Sequence, residues 1–157
     1  MRINLMCIGK TDDKEISTLL SYYIQRLPKH WNFEIITLPD VKNAKSLTPE
    51  LIKKEEAKLF QNQLESSDLI ILLDEKGKQF TSREFSDKID FFMSISVKRI
   101  CFLVGGAYGF SDEIYAKASE KISLSKMTFT HQMIRLFFVE QVYRAASILQ
   151  GKPYHND

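Results

Sequence analysis

Apolar positions along this chain follow two rhythms. Residues Arg2–Ile8 form a short, nearly continuous apolar run bounded by Gly9-Lys10-Thr11, the mark of a strand. Asp12-Asp13 then opens a segment in which Ile16, Leu19, Leu20, Tyr23, Ile24 and Leu27 recur at helical spacing, ended by Pro28. Residues 33–38 read as the next strand, closed by Pro39-Asp40. Thr48-Pro49-Glu50 is a helix start, a capping hydroxyl followed by proline at the first helical position, and the helix is expected to reach Leu64.

The second half repeats the alternation. Residues 69–73 are unbroken aliphatics, as in a strand covered on both faces, with Asp74-Glu75-Lys76-Gly77 expected as a turn. Thr81 and Glu84 match a capping box for a helix through Met93. Residues 100–104 are another buried strand, ending at Gly105-Gly106-Ala107-Tyr108-Gly109. Ser111 caps a short helix, residues 122–124 make a brief strand, and a long helix occupies 130–150. Strands alternating with helices predict an α/β fold, a mostly parallel sheet with helices on both faces. No stretch is a linker or a repeat, so residues 1–157 are read as a single domain.

Composition narrows the class. Hydrophobic residues at 44% and charged residues at 27% are globular values. The longest apolar runs, 69–73 and 136–139, fall far short of the ~20 residues of a membrane helix. Gly9-Lys10 closes the first run too early for a cleavable signal, so a cytoplasmic location is expected. Cys7 and Cys101 each lie within an apolar run without a cysteine or histidine neighbour, which reads as two buried thiols in a reducing compartment. Three dispersed histidines give no metal site.

Net charge is +2, yet residues 121–157 carry five Lys and Arg against two Asp and Glu. That tilt marks the C-terminal end as the docking place for an anionic partner, beside the plainer reading of a solvated basic face.

Candidate chemistry gathers at the carboxyl ends of the strands, where open parallel sheets bind ligands. The glycines after residue 104 let a ligand approach the backbone, but they match neither a dinucleotide fingerprint nor a Walker loop. Asp74 and Glu75 are adjacent and diverge on an extended chain, so a glycosidase-type pair has no support. The segment Ser125-Lys126-Met127-Thr128-Phe129-Thr130-His131 interleaves hydroxyls with large apolar residues, which suits a pocket for a flat ring; a loop and helix cap is the plainer alternative. On the long helix, His131 and Arg135 share one face. Glu140 and Arg144 share roughly the opposite one, where an intrahelical ion pair suffices. Leu136, Phe137, Phe138, Val139, Val142 and Tyr143 make that helix apolar nearly all round, which calls for more cover than one sheet gives.

Four stretches together resemble one family. Leu103-Val104-Gly105-Gly106-Ala107-Tyr108-Gly109, Leu124-Ser125-Lys126-Met127-Thr128-Phe129-Thr130-His131-Gln132, Glu140-Gln141-Val142-Tyr143-Arg144-Ala145 and Gly151-Lys152-Pro153-Tyr154-His155 are similar to the RlmH family of SPOUT-class methyltransferases, over essentially the whole chain. The resemblance implies a parallel sheet between helices with a C-terminal trefoil knot, a homodimer, and S-adenosylmethionine as methyl donor. It implies N3-methylation of a pseudouridine in bacterial 23S ribosomal RNA, on the assembled ribosome. Carried over, the donor pocket involves Leu73, Gly105, Leu124, Ser125, Lys126, Met127, Thr128 and Phe129. Substrate orientation and proton handling fall to His131, Arg135, Arg144, Tyr154 and His155, with Arg135 and Arg144 alternatively holding phosphates. No metal and no membrane are implied. Two departures stand out: Thr130 replaces the family's proline, and Asn156-Asp157 replaces a basic residue in the tail. A SPOUT-class tRNA methyltransferase and a non-catalytic flavodoxin-like nucleotide module remain as alternatives.

Overall fold

Every α-helix among the described residues begins where the sequence supplies a side chain to cap it. In the computed structural model, which describes residues 1–156, Asp13 accepts from the Ile16 N–H at 3.0 Å and Thr48 from Leu51 at 3.3 Å. Thr81 and Glu84 form the reciprocal capping box, Ser111 accepts from Ile114, and Thr130 accepts from Met133 at 3.2 Å. These caps open helices α1 (Lys14–Ile24), α2 (Pro49–Gln61), α3 (Ser82–Ser94), α4 (Asp112–Lys117) and α5 (His131–Leu149). Asp157, the last residue of the tail discussed above, lies outside the described residues.

The strands are β1 (Arg2–Ile8), β2 (Glu34–Leu38), β3 (Leu69–Gln79), β4 (Arg99–Val104) and β5 (Glu120–Ser123). All pair in parallel, in the order β2-β1-β4-β3-β5. One face packs Ile16 and Leu20 of α1, Phe85 and Ile89 of α3, and Phe138, Val139 and Val142 of α5 against Ile3, Leu5, Ile71 and Phe102. The other packs Ala57 and Phe60 of α2 and Ile114 of α4 against Met6, Ile70, Leu72 and Leu103. Phe102 and Phe138, with ring centroids 4.6 Å apart, join sheet to α5 at the centre of the first core. Cys7 and Cys101 are both buried, and burial pushes each thiol up to about 12.

Several boundaries differ from the sequence reading: α1 ends at Ile24 rather than running on to Pro28, and α2 ends at Gln61 rather than reaching Leu64. The turn expected at Asp74–Gly77 is part of β3, which continues through a bulge so that Leu73 and Lys78 both pair with Ile122 of β5. Gly77 explains this: a Cβ there would lie 2.7 Å from the backbone of Lys121 and Ile122, so only glycine lets the bulged strand close on its neighbour. The brief strand lies at 120–123 rather than 122–124, and Leu124 begins the loop that follows.

The topology sets where a ligand can sit. From β1 the chain crosses to β2 on one side; from β4 it crosses to β5 on the other. The carboxyl ends of the neighbouring β1 and β4 therefore part, with β3 and β5 beyond, and the loops that leave them stand on one edge of the sheet.

Candidate active site

Val104 ends β4, and the chain turns back on itself within residues 105–110. The Gly109 N–H donates to the Gly106 carbonyl at 3.1 Å, and Gly109 adopts φ +79°, a left-handed value that favours glycine. Gly105 serves close approach instead: a Cβ there would sit 3.2 Å from the Phe110 ring and 3.3 Å from the Gly109 carbonyl carbon.

Opposite this turn lies the loop between β5 and α5. Ser123 Oγ donates to the Ser125 carbonyl at 2.8 Å, and Ser125 Oγ accepts from the Met127 N–H at 3.0 Å, so two hydroxyls fold the loop locally. Phe129 stacks on Phe137 of α5 with centroids 4.9 Å apart. Met127 is 77% exposed, the most exposed of the large apolar side chains described.

Between the two loops is a cavity of about 430 Å³. Of the residues carried over as donor-binding, Leu73, Gly105, Leu124, Ser125, Met127, Thr128 and Phe129 line it, and Lys126 does not. His131 also lines it. So do Val104 and Tyr108, from the glycine-rich stretch already singled out, and Phe110, Tyr115 and Ile134, which did not stand out from the sequence. Tyr115 donates its hydroxyl to the Asp74 carboxylate, and burial followed by that bond holds the phenol above its ordinary range, a neutral donor. Asp74 also accepts from the Lys76 N–H at 2.8 Å, while Glu75 is exposed at the rim of the same cavity. Apolar walls from strand ends, bare backbone at the glycines and a few polar groups suit a flat heteroaromatic ring carrying hydrogen-bonding edges.

Arg135, one helical turn beyond His131, is elsewhere. It is 1% exposed, and Nη1 donates to the Gly9 carbonyl at 3.0 Å and to Thr11 Oγ1 at 2.9 Å, Nη2 to the Ile8 carbonyl at 2.8 Å. Both terminal nitrogens are engaged by the chain leaving β1, and only Nε lacks a partner.

The remaining candidates meet at the far end of α5. Arg144 Nη2 pairs with Glu140 Oε1 at 2.5 Å, and Tyr154 Oη donates to the same oxygen at 3.0 Å. The Arg144 guanidinium lies over the Tyr154 ring, 4.9 Å from its centroid, and Nη1 is 3.4 Å from His155 Nδ1. The pair expected within the helix is present, and the tail folds back to extend it. Burial, then hydrogen bonds with Tyr23 and Glu140, hold the Tyr154 phenol above its ordinary range. Glu140 is the member that sequence reading left as a simple ion-pair partner. The i, i+4 spacing was visible, but the tail's return to it was not.

At 1.5 Å per residue, Glu140 lies roughly 14 Å and Arg144 roughly 20 Å along α5 from His131. Among the described residues no group of three or more His, Cys, Asp or Glu side chains could hold a metal, and no helix is long and apolar enough to cross a membrane.

Residues 1–155 match the family model described as "Predicted SPOUT methyltransferase". A protein of Christiangramia forsetii named "Ribosomal RNA large subunit methyltransferase H" is 50% identical over 156 residues, covering 99% of each chain. Proteins of the same name from Parabacteroides distasonis and Flavobacterium johnsoniae are 49% and 47% identical, over 100% and 99% of each chain respectively. A match over nearly the full length, with the glycine turn and the hydroxyl-rich loop facing one cavity, means that this chain belongs to the SPOUT methyltransferase family.

Proposed function

We propose that this protein transfers a methyl group from S-adenosylmethionine to N3 of a pseudouridine in large-subunit ribosomal RNA. One observation carries the reading: the loop at 124–129 and the glycine turn at 105–109 enclose a single cavity at the carboxyl edge of the sheet. Near-half identity over the full chain to proteins named as ribosomal RNA large subunit methyltransferases supports the substrate class.

The residues fit the donor. Leu73, Val104, Ile122, Leu124 and Ile134 offer apolar walls to an adenine ring, and the bare backbone of Gly105 admits its edge. Asp74, which holds the Tyr115 proton, and the Tyr115 oxygen offer acceptors for ribose hydroxyls. When bound, S-adenosylmethionine supplies an electrophilic methyl on a sulfonium leaving group. The chain's own task is then to align the nucleophilic nitrogen and to accept the proton that leaves N3. Alignment of bound reactants accounts for about 7–11 kcal/mol of barrier in well-oriented systems, so positioning is the leading contribution. Removal of the N3 proton falls to the imidazoles of the candidate set, His131 and His155, with Glu140, from outside that set, orienting Arg144 and Tyr154.

The distance along α5 bears on assembly. The cluster lies farther along α5 than the residues that line the cavity, and in a homodimer this reading has it serve the partner subunit's cavity. The apolar girth of α5, with Phe137 and Leu149 exposed, is consistent with a subunit contact there. The C-terminal trefoil knot and a cytoplasmic location belong to the same reading. A net charge of +2 gives few phosphate contacts, which favours recognition of an assembled ribosome by shape over grip on naked RNA.

Calorimetry tests the cavity. S-adenosylmethionine binds and neither FMN nor NAD does; binding of FMN or NAD instead would establish a nucleotide module. Labelled methyl transfer to intact ribosomes exceeds transfer to naked ribosomal RNA, and equal transfer to both would overturn the assembled-ribosome substrate.

A further inference from the structure

The wall of the cavity formed by residues 105–109 has a second side. Behind it, at the parted ends of β1 and β4, is a crevice of about 460 Å³, and Gly106, Ala107, Tyr108 and His131 line both spaces. The turn is a partition one peptide thick. What holds a partition in place decides the shape of the space in front of it.

Glu56 stands directly behind. It lies in the middle of α2, in a run of charged residues, yet it is 7% exposed, among the most buried of the charged side chains described. A carboxyl group in that position costs free energy unless it makes a specific bond. Its carboxylate lies directly against Gly106, whose backbone N–H favours the charged form. Burial pushes the Glu56 carboxyl above its ordinary range, the Gly106 N–H opposes that, and the neighbouring Asp40 adds to it.

Gly106 is shaped to this contact. Its φ is not among the left-handed values in the chain, so conformational freedom does not require glycine there. Space does. A Cβ on Gly106 would overlap the Glu56 carboxylate, with Oε2 at 2.7 Å and Cδ at 2.8 Å. The same residue also faces forward: the carbonyl on the other side of its Cα accepts from the Gly109 N–H and closes the turn that lines the cavity.

We propose that Glu56 is a positioning residue for the methyl donor. Its buried carboxyl pins the Gly106 peptide from behind and so sets the register of the turn that receives the donor in front. The inference rests on the proposed function, which puts the donor in that cavity. Glu56 acts through Gly106, without touching the donor.

The test is S-adenosylmethionine titration by calorimetry on the full chain, with thermal melts, for the wild type, Glu56→Ala, Glu56→Gln, Gly106→Ala and the Glu56→Ala/Gly106→Ala pair. Loss of one charged acceptor predicts donor affinity about tenfold weaker in Glu56→Ala. Glu56→Gln keeps an acceptor oxygen and stays within about threefold of the wild type. Gly106→Ala weakens binding because the carboxylate must leave. In the pair the new methyl has room, so the two losses combine to less than their sum. In transfer assays with Glu56→Ala, KM for the donor rises more than kcat falls, a split that a general loss of stability would not produce.

Donor affinity in Glu56→Ala within twofold of the wild type would overturn the proposal. So would Glu56→Gln as weak as Glu56→Ala, or fully additive losses in the pair. If Glu56→Ala does not fold, Glu56→Gln and Gly106→Ala decide: affinity kept in the first and lost in the second supports the role, and any other pattern overturns it. Failure of the wild type to bind S-adenosylmethionine at all would instead sink the proposed function, a separate result.

Discussion

Arg135 reaches back across the sequence to Gly9, donating Nη1 to its carbonyl at 3.0 Å from the heart of the α5–sheet interface. With Nη2 on the Ile8 carbonyl and Nη1 shared with Thr11, the guanidinium ties the start of the last helix to the end of the first strand. The carbonyls at a strand end have no ladder partner there, so a buried cation is their hydrogen-bond supply.

Removing that cation leaves Ile8 and Gly9 unsatisfied in the interior. Arg135→Met is expected to lose about 2–4 kcal/mol of stability, at roughly 1–3 kcal/mol for each stranded group. Arg135→Lys recovers little, because an ammonium cannot span the fork. Urea unfolding with the slope held constant checks this, and a loss below about 0.5 kcal/mol would show that the carbonyls find water instead.

The cluster of Glu140, Arg144, Tyr154 and His155 is expected to matter for chemistry more than for folding. Its ion pair is partly exposed, where such pairs add at most about 1 kcal/mol. Glu140→Gln and Tyr154→Phe should lower methyl transfer about a hundredfold while donor affinity stays unchanged. Mixed dimers of an Arg144→Ala subunit with a cavity-blocked Ser125→Trp subunit should exceed both parents, since one of their two sites is then whole. Activity no greater than either parent would place the cluster and the cavity in service of separate tasks.

Acid stability should turn on Asp68. Arg99 clamps its carboxylate through Nε at 2.7 Å and through Nη2, and the Glu65 N–H donates to it at 2.7 Å. Burial alone would raise this carboxyl; the Arg99 and Glu65 hydrogen bonds outweigh it and hold it below its ordinary 3.8. A carboxyl depressed in the folded state binds protons more readily when unfolded. Its stabilisation is complete above the unfolded value and fades as pH falls through the folded one. Melting temperature followed from pH 6 downward should fall more gently for Asp68→Asn than for the wild type, from a lower starting point. Parallel curves would assign the acid limb to other carboxylates.

The order of elements was legible because β3 opens on a run of aliphatics, β4 is apolar after Arg99, and each α-helix start carries a capping side chain, from Asp13 to Thr130. Thr130 also shows why its departure from the family's proline is mild: its φ of −62° is a proline's value, and its hydroxyl caps α5. The segment 125–131 could be read as pocket-forming because local hydroxyl turns fold it, and Ser125, Met127, Thr128, Phe129 and His131 line the cavity. The bulge at residues 74–77 could not, since Gly77 and Ile122 meet only in the sheet. Arg135 looked like a surface partner of His131 by helical spacing, which says nothing about which face the sheet will bury. Glu56 was invisible for the same reason: in the run Lys53-Lys54-Glu55-Glu56 it reads as one more solvated charge.

The central claim is that this chain places a methyl on one pseudouridine of the large ribosomal subunit. Mass spectrometry of large-subunit ribosomal RNA from cells with and without the gene tests it most directly. One N3-methylpseudouridine present in the parent should revert to pseudouridine in the deletion strain and return when the gene is restored. Persistence of every methylpseudouridine in the deletion strain would contradict the account.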